Sequence, residues 1–218
     1  YERTYKSLEF TVERPWDGRW SLSGSYTWAK SFGTAEGYVQ SNLNQEDAGV
    51  TQDFDFGSFT DGAKGFLPND RRHVIKVYGN YQLADEWRLG GNMTIASGRP
   101  LSCIGFVPRS VPDFAGSSQY TSASAYYCVK DANAGTELVQ RGSAGRTPWT
   151  TNFDLSASYI PAWANKKLTL QVAVFNVFNK QKATELNEVR DFSRDASNAL
   201  VKPIQQNQNY LSPTSFQD

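Results

Sequence analysis

Six stretches of this chain alternate between apolar and polar residues. The clearest covers residues 19–28, whose apolar positions are Trp20, Leu22, Gly24, Tyr26 and Trp28. The intervening positions are an arginine, three serines and a threonine. Alternation with a period of two predicts a β-strand that has one apolar face and one polar face. The same pattern predicts strands at residues 4–14, 73–83, 87–95, 152–159 and 168–179.

The length and polarity of these strands indicate a sheet that crosses a membrane. Residues 19–28 form a run of about ten residues, which is the length that a tilted strand needs to span a bilayer. The opposite face of this strand is more uniformly polar than the core of a soluble β-sandwich would be. A half-buried strand of a soluble protein gives the same alternation, however, so the strands alone leave both interpretations open.

The connections between the predicted strands are short on one side and long on the other. The short turns lie at residues 15–18, 84–86 and 161–167, and the long stretches lie at residues 32–69, 100–147 and 181–213. Outer-membrane β-barrels have short periplasmic turns and long extracellular loops. The sequence therefore predicts an all-β fold, an antiparallel up-and-down meander of about six strands that belongs to a transmembrane barrel with three long extracellular loops.

Aromatic residues make up 14% of the chain and concentrate near the ends of the predicted strands. Tyr and Trp are favoured at membrane interfaces because their rings are amphipathic. The predicted aromatic belts comprise Trp16, Trp20, Tyr81, Trp87, Tyr159 and Trp163 at the short-turn end, with Tyr26 and Trp28 at the long-loop end. Cross-strand aromatic pairs in a soluble sheet are the alternative interpretation.

Composition excludes several functional classes. Lys and Arg together number 22, as do Asp and Glu, so no basic field favours nucleic acid as a partner. The single histidine, His73, offers no cluster of metal ligands. The sequence also contains no catalytic triad and no phosphate-binding loop. We therefore expect neither an enzyme nor a bound cofactor.

The two cysteines of the chain, Cys103 and Cys128, both fall in the second long stretch. A pair of cysteines in a surface loop of a chain without other thiols suggests one disulfide. Such a bond would place the protein in an oxidising compartment, such as the periplasm or the cell surface. Two unpaired thiols in the loop are the alternative.

Two charged segments allow more than one interpretation. The cluster at residues 70–73 lies where a predicted strand begins, and it suggests an interfacial anchor or an anion-binding mouth. Residues 42–61 of the first long stretch contain the acidic residues Glu46, Asp47, Asp53, Asp55 and Asp61. Their oxygen atoms could hold calcium, but their spacing is not that of an EF-hand, so we expect a solvated acidic loop.

Three segments resemble the C-terminal barrel of TonB-dependent outer-membrane receptors, particularly the Oar-like branch. They are residues 69–73 (NDRRH), 97–100 (SGRP) and 174–180 (VFNVFNK). The last segment is typical of the next-to-last strand in that family, and the resemblance covers essentially the whole chain. It implies an energy-coupled importer in the bacterial outer membrane, with a barrel of about 22 strands around a plug.

The resemblance also implies what surrounds this chain. The partners would be outer-membrane lipid, an unidentified small-molecule, oligosaccharide or peptide ligand, and the TonB complex, which an N-terminal region absent from this sequence would contact. Residues 1–218 are then expected to be a partial barrel domain without the plug and without the closing strand. The ligand-binding residues are not identified by this resemblance.

Two other functional classes share the strand pattern. A passive porin-like or adhesin-like outer-membrane barrel would have the same alternation and the same loops. A secreted all-β binding module would use the long aromatic loops as its binding site and would be soluble without detergent.

Overall fold

The computed structural model describes residues 1–45, 54–108, 111, 125–131, 135–165, 167–190 and 207–217. These residues form β-strands and short 3-10 helices. Within them, no helix is long and apolar enough to cross a membrane.

A seven-stranded antiparallel sheet forms the body of the structure. Its seven strands are β1 (Arg3–Arg14), β2 (Trp20–Gly33), β3 (Gly65–Phe66), β4 (His73–Ala84), β5 (Trp87–Ala96), β8 (Thr150–Tyr159) and β9 (Leu170–Val174). Two separate hairpins contain the other strands, which are β6 (Tyr127–Asp131), β7 (Gly135–Leu138), β10 (Ala183–Leu186) and β11 (Pro213–Phe216). The order in the main sheet is β1-β2-β4-β5-β8-β9, and the two-residue β3 pairs with the end of β2. This order is an up-and-down meander, so the predicted fold class is confirmed.

The strand register carries one apolar face across the whole sheet. Its central row runs through Val12, Gly24, Val77, Met93 and Phe153, each opposite the next. The side chains of this face are exposed rather than packed in a core, with 58% of Leu8 and 69% of Val172 accessible. An apolar face of this width needs a lipid or protein environment, and in an outer-membrane barrel it faces lipid.

β9 is shorter than the strand predicted at residues 168–179. It ends at Val174, and the segment that follows turns because Asn176 and Asn179 have φ angles of +47° and +46°. Asparagine tolerates this left-handed conformation because its side chain can bond locally. Here the Lys180 N–H donates to the Asn176 side-chain oxygen at 3.1 Å. The predicted end of this strand is therefore wrong, although Val177 N–H still donates to the Phe153 carbonyl oxygen of β8 at 2.8 Å.

The buried core lies in the long connections and not in the sheet. Hairpins β6-β7 and β10-β11 form within the second and third connections, and 3-10 helices cover Ser41–Leu43, Gly57–Phe59 and Ala162–Ala164. The buried apolar residues are mostly in the first and second connections, including Leu67, Ile104 and Val129, each 1% exposed or less. The three long connections therefore fold into one packed layer, which we call the loop layer.

Candidate functional site

The polar face of the sheet carries two rows of side chains that we call the polar wall. One row contains Thr11, Ser25, Lys76, Thr94 and Asn152, and the other contains Glu13, Ser23, Tyr78, Asn92 and Asp154. The interior of an outer-membrane barrel is polar and wet, so hydroxyl, amide and carboxylate groups there can bond to water or solute. A groove of about 290 Å³ on this face is lined by Tyr78, Asn92 and Gln171 among others.

Asp154 is the fixed carboxylate of the polar wall. Its Oδ1 atom accepts a hydrogen bond from the Asn176 N–H at 2.9 Å. Its Oδ2 atom accepts bonds from the side-chain amides of Asn92 and Asn152, each at 3.3 Å. Asp154 thus joins β5 and β8 to the turn that follows β9, which explains why that turn remains attached to the sheet.

The first and second connections pack together through an apolar cluster. The cluster consists of Phe59 from the first connection and Val107, Ala125 and Tyr127 from the second. The Tyr127 hydroxyl donates to Asp61 Oδ2 at 2.8 Å, which satisfies the polar tip of the buried ring. Burial of each apolar side chain contributes a free energy of about 2 kcal/mol. Together these side chains stabilise the packing of the first connection against the second.

Glu188 joins the second connection to the third. Its side chain is buried, and its Oε1 atom accepts from Arg99 Nη1 at 2.7 Å while Oε2 accepts from the Ser102 N–H at 2.6 Å. Backbone bonds of Ile104 reinforce this contact, because its N–H donates to the Glu188 carbonyl oxygen and its own carbonyl accepts from Arg190. Burial raises the pKa of Glu188, and the Arg99 charge and the Ser102 amide oppose that rise.

A charged cluster forms the base of the loop layer, where the strands end. The buried Asp70 carboxylate pairs with Arg146 and, at 3.2 Å, with Arg72, and it also accepts from the Ser31 N–H at 2.6 Å. Arg71 donates to the Ser97 carbonyl oxygen at 3.0 Å. Burial lowers the pKa of the Arg71 guanidinium, and the charges of Arg99 and Arg146 lower it further. The NDRRH segment thus joins β2 and the start of β4 to Ser97, which follows β5, and to Arg146 of the second connection.

The SGRP segment is explained by a close approach of two backbones. A Cβ atom on Gly98 would lie 1.6 Å from the Thr147 carbonyl oxygen, so a side chain cannot be accommodated without moving the chain. The next residue, Arg99, exchanges hydrogen bonds with Thr147, donating to Oγ1 at 3.0 Å and accepting at 2.9 Å. This approach directs the Arg99 side chain toward Glu188.

The disulfide between Cys103 and Cys128 is confirmed, with an S–S distance of 2.03 Å. Both cysteines are buried, and Arg190 of the third connection lies 3.8 Å from the Cys128 sulfur atom. The bond therefore closes the second connection beside the segment that carries Glu188 and Arg190. Oxidation of this pair fits a location outside the cytoplasm.

The eight residues of the predicted aromatic belts are all at least partly exposed. Trp87 and Tyr159 form a cross-strand pair with ring centroids 4.8 Å apart, and Trp163 is 75% exposed in the last short turn. Trp16 lies beside the polar face, because Arg88 of that face is 4.9 Å from its ring centroid. Contact of these eight residues with lipid stays a prediction.

A row of stacked rings that the sequence pattern does not predict lies at the long-loop end of the apolar face. Phe10, Tyr26, His73 and Trp149 lie in this order, with successive centroids 6.4, 6.1 and 5.7 Å apart and interplanar angles of 15°. The Tyr26 hydroxyl and His73 Nδ1 are 2.9 Å apart. Phe10 and Tyr26 are register partners, whereas His73 is the register partner of Trp28 and reaches Tyr26 diagonally. The four residues are far apart in sequence, so only the three-dimensional structure reveals that their rings stack.

The acidic stretch of the first connection is described only in part. Glu46, Asp47 and Asp53 lie outside the described residues, and Asp61 bonds to Tyr127. The expectation of a solvated acidic loop, rather than a calcium site, therefore stays a prediction.

Comparison with known proteins agrees with these features. The family model of the outer membrane beta barrel domain matches residues 1–199. The TonB-dependent transporter Oar of Myxococcus xanthus is 26% identical over 208 residues, which is 93% of this chain and 17% of that protein. The chain therefore spans about a sixth of the length of this relative.

A solved structure with partial similarity is the outer membrane transporter YddB from Escherichia coli. It is 11% identical, with a TM-score of 0.45, and the match covers 94% of this chain and 24% of that one. A likeness at this level carries no conclusion about function. The family match over residues 1–199, together with the meander and its two faces, shows that the chain belongs to the outer membrane beta barrel domain family and lies in the bacterial outer membrane.

Proposed function

We propose that this chain is part of a TonB-dependent transporter, which imports a ligand across the outer membrane with energy from the inner membrane. The 26% identity to the TonB-dependent transporter Oar over 93% of the chain carries the proposal. In this proposal residues 1–218 form a partial barrel domain and catalyse no reaction. A plug and a TonB-contacting segment, which this sequence does not contain, would complete the transporter.

Each part of the structure has a role in this proposal. The loop layer forms the outer surface that a ligand meets first, and its buried ion pairs and disulfide keep that surface in one shape. The polar wall forms one side of the lumen, where its hydroxyl and amide groups can exchange bonds with a passing solute. The ligand would be a small molecule, an oligosaccharide or a peptide.

The experiment that tests the proposal compares two mutants of a strain that produces the intact protein. One mutant lacks the gene for this protein and the other lacks a functional TonB. Both are grown on single sources of iron chelates, cobalamin, oligosaccharides or peptides, and uptake of each labelled nutrient is measured. We expect both mutants to lose uptake of the same nutrient, because transport requires the barrel and the energy coupling together.

A passive barrel gives a different result in the same experiment. Uptake through it would persist without TonB and would be lost only in the gene deletion. That outcome would contradict the proposal and would favour the porin-like alternative. Restoration of uptake by a plasmid copy of the gene serves as the control.

A further inference from the structure

Two lysines lie directly opposite each other on the apolar face near the long-loop end. Lys6 of β1 and Lys30 of β2 are register partners, which places their Cβ atoms about 5 Å apart. Like charges in this position are unfavourable unless water or an anion compensates them. Among the described residues, neither lysine forms an ion pair with a carboxylate.

Three cationic groups lie close to the ring of Phe66, and Lys30 is one of them. Lys30 Nζ lies 5.4 Å from its ring centroid, and the guanidinium carbons of Arg72 and Arg146 lie 5.0 and 5.6 Å from it. The faces of aromatic rings attract cations, so Phe66 fixes three positive groups near one another. The buried Arg72 Nε atom has no hydrogen-bond partner among the residues that the structure describes.

The charges here do not balance. Asp70 is shared by Arg72 and Arg146, and Glu2 is paired with Lys64. Among the seven side chains Lys6, Lys30, Lys64, Arg72, Arg146, Glu2 and Asp70, five cations meet two carboxylates, so this group carries an excess of three positive charges. We call Lys6, Lys30 and Arg72 the basic rim.

The position of the basic rim relative to the membrane identifies what it can bind. Lys30 follows Trp28 on the same face by two residues, about 7 Å along the strand. The stacked row that includes Tyr26 and His73 lies just before it, where aromatic rings mark the membrane interface. The basic rim is thus at the level of lipid headgroups on the side of the long loops, which is the outer leaflet.

We propose that the basic rim is a docking surface for the phosphate groups of outer-leaflet lipids. Lysine side chains reach along apolar surface and place their ammonium groups at the interface, where phosphate oxygens can accept their hydrogen bonds. The Lys30 ammonium lies 4.9 Å from the ring centroid of Phe32 and 5.4 Å from that of Phe66, so the two rings hold the charge at this level. Bound lipid would remove the repulsion between Lys6 and Lys30.

The test measures lipid binding to the intact protein purified in mild detergent. Diphosphorylated lipid A is titrated, and the bound fraction is followed by native mass spectrometry with phosphatidylcholine as the uncharged comparison. The variants are Lys6→Gln, Lys30→Gln and the double variant, with Lys76→Gln on the polar wall as the matched control. Each lysine near an anionic surface contributes about fivefold, so we expect about a 25-fold loss of lipid A affinity in the double variant.

Further measurements make the test decisive in either direction. Thermal unfolding of each variant establishes that it is folded, and Lys6→Arg with Lys30→Arg should restore binding because the charge is kept. The proposal is overturned if the double variant binds lipid A as the original protein does, or if Lys76→Gln loses as much affinity. Full displacement of lipid A by inorganic phosphate would also overturn it, since the surface would then be a free-anion site.

Discussion

The ion pair between Glu188 and Arg99 joins two connections that are separated by 89 positions in the sequence. Both side chains are almost completely buried, at 0% and 8% exposed. Removing one partner of a buried pair leaves an uncompensated charge, which is far more costly than never having built the pair. The loop layer therefore depends on this one contact more than on any exposed ion pair, whose contribution is small.

We expect Glu188→Gln to loosen the contact between the second and third connections. The amide keeps the shape of the side chain but leaves the Arg99 charge buried and unpaired, at a cost of about 3 kcal/mol to the loop layer. Amide hydrogen exchange at Ser102 and Ile104 should become faster, while exchange in β4 and β5 should be unchanged. Equal exchange in both proteins would contradict the role assigned to the Glu188 carboxylate.

Glu185→Gln is the matched control for this change. Glu185 lies in the same hairpin, is only partly buried and forms no ion pair among the described residues. It should leave the exchange rates of Ser102 and Ile104 close to their original values.

At the scale of elements, the turn between β1 and β2 is held by Asp17. Its Oδ1 atom accepts from the Arg19 and Trp20 N–H groups at 2.8 and 2.9 Å, and its Oδ2 atom pairs with Arg14. The bond from Trp20, followed by those from Arg19 and Arg14, lowers the pKa of Asp17 from 3.8 to about 2. A short turn is thus closed by one ionised carboxylate.

The stability of this turn should depend on pH in a definite direction. Because the folded pKa lies below the ordinary value, the ionised carboxylate stabilises the turn fully above pH 3.8, and the effect is lost as pH falls through about 2. The backbone amide resonance of Trp20, followed by NMR in detergent micelles, should titrate with a midpoint near 2. Asp17→Asn should abolish that titration, and a midpoint near 4 would contradict the assignment.

The strands of the main sheet were predictable from the sequence, because their alternation of apolar and polar residues is a local pattern. The alternation around Trp20 and Leu22 is visible over ten residues because adjacent strand positions face opposite sides. The strand ending at Val174 was predicted too long, since the left-handed conformation of Asn176 is compatible with a pattern that still looks alternating. The loop layer was not predictable, because Glu188 finds its partners 86 and 89 positions away.

At the scale of the whole molecule, the sheet has two open edges. Within the described residues, β1 pairs only with β2, and β9 pairs only with β8. Unpaired backbone groups are not tolerated in hydrocarbon, so these edges need further strands to complete a barrel. In water, the same edges lie beside a wide apolar face and would promote aggregation.

We therefore expect residues 1–218, produced alone, to stay in solution only with detergent or denaturant. Reconstituted into planar bilayers, they should give no stable unitary conductance, because bacterial barrels with fewer than about eight strands do not close. Size-exclusion chromatography and single-channel recording measure these two outcomes. A detergent-free monomer with a cooperative thermal transition would contradict both and would favour a soluble binding module.

The packing of the loop layer has a consequence for how the outer surface of the barrel can change over generations. The second and third connections share Glu188, Arg99 and the bridge between Ile104 and Val189. Transplanting one of these connections from a related protein would separate partners that were selected together. A chimaera that receives the second and third connections together from one relative should therefore fold. A chimaera that receives only one of them should have a misfolded outer surface.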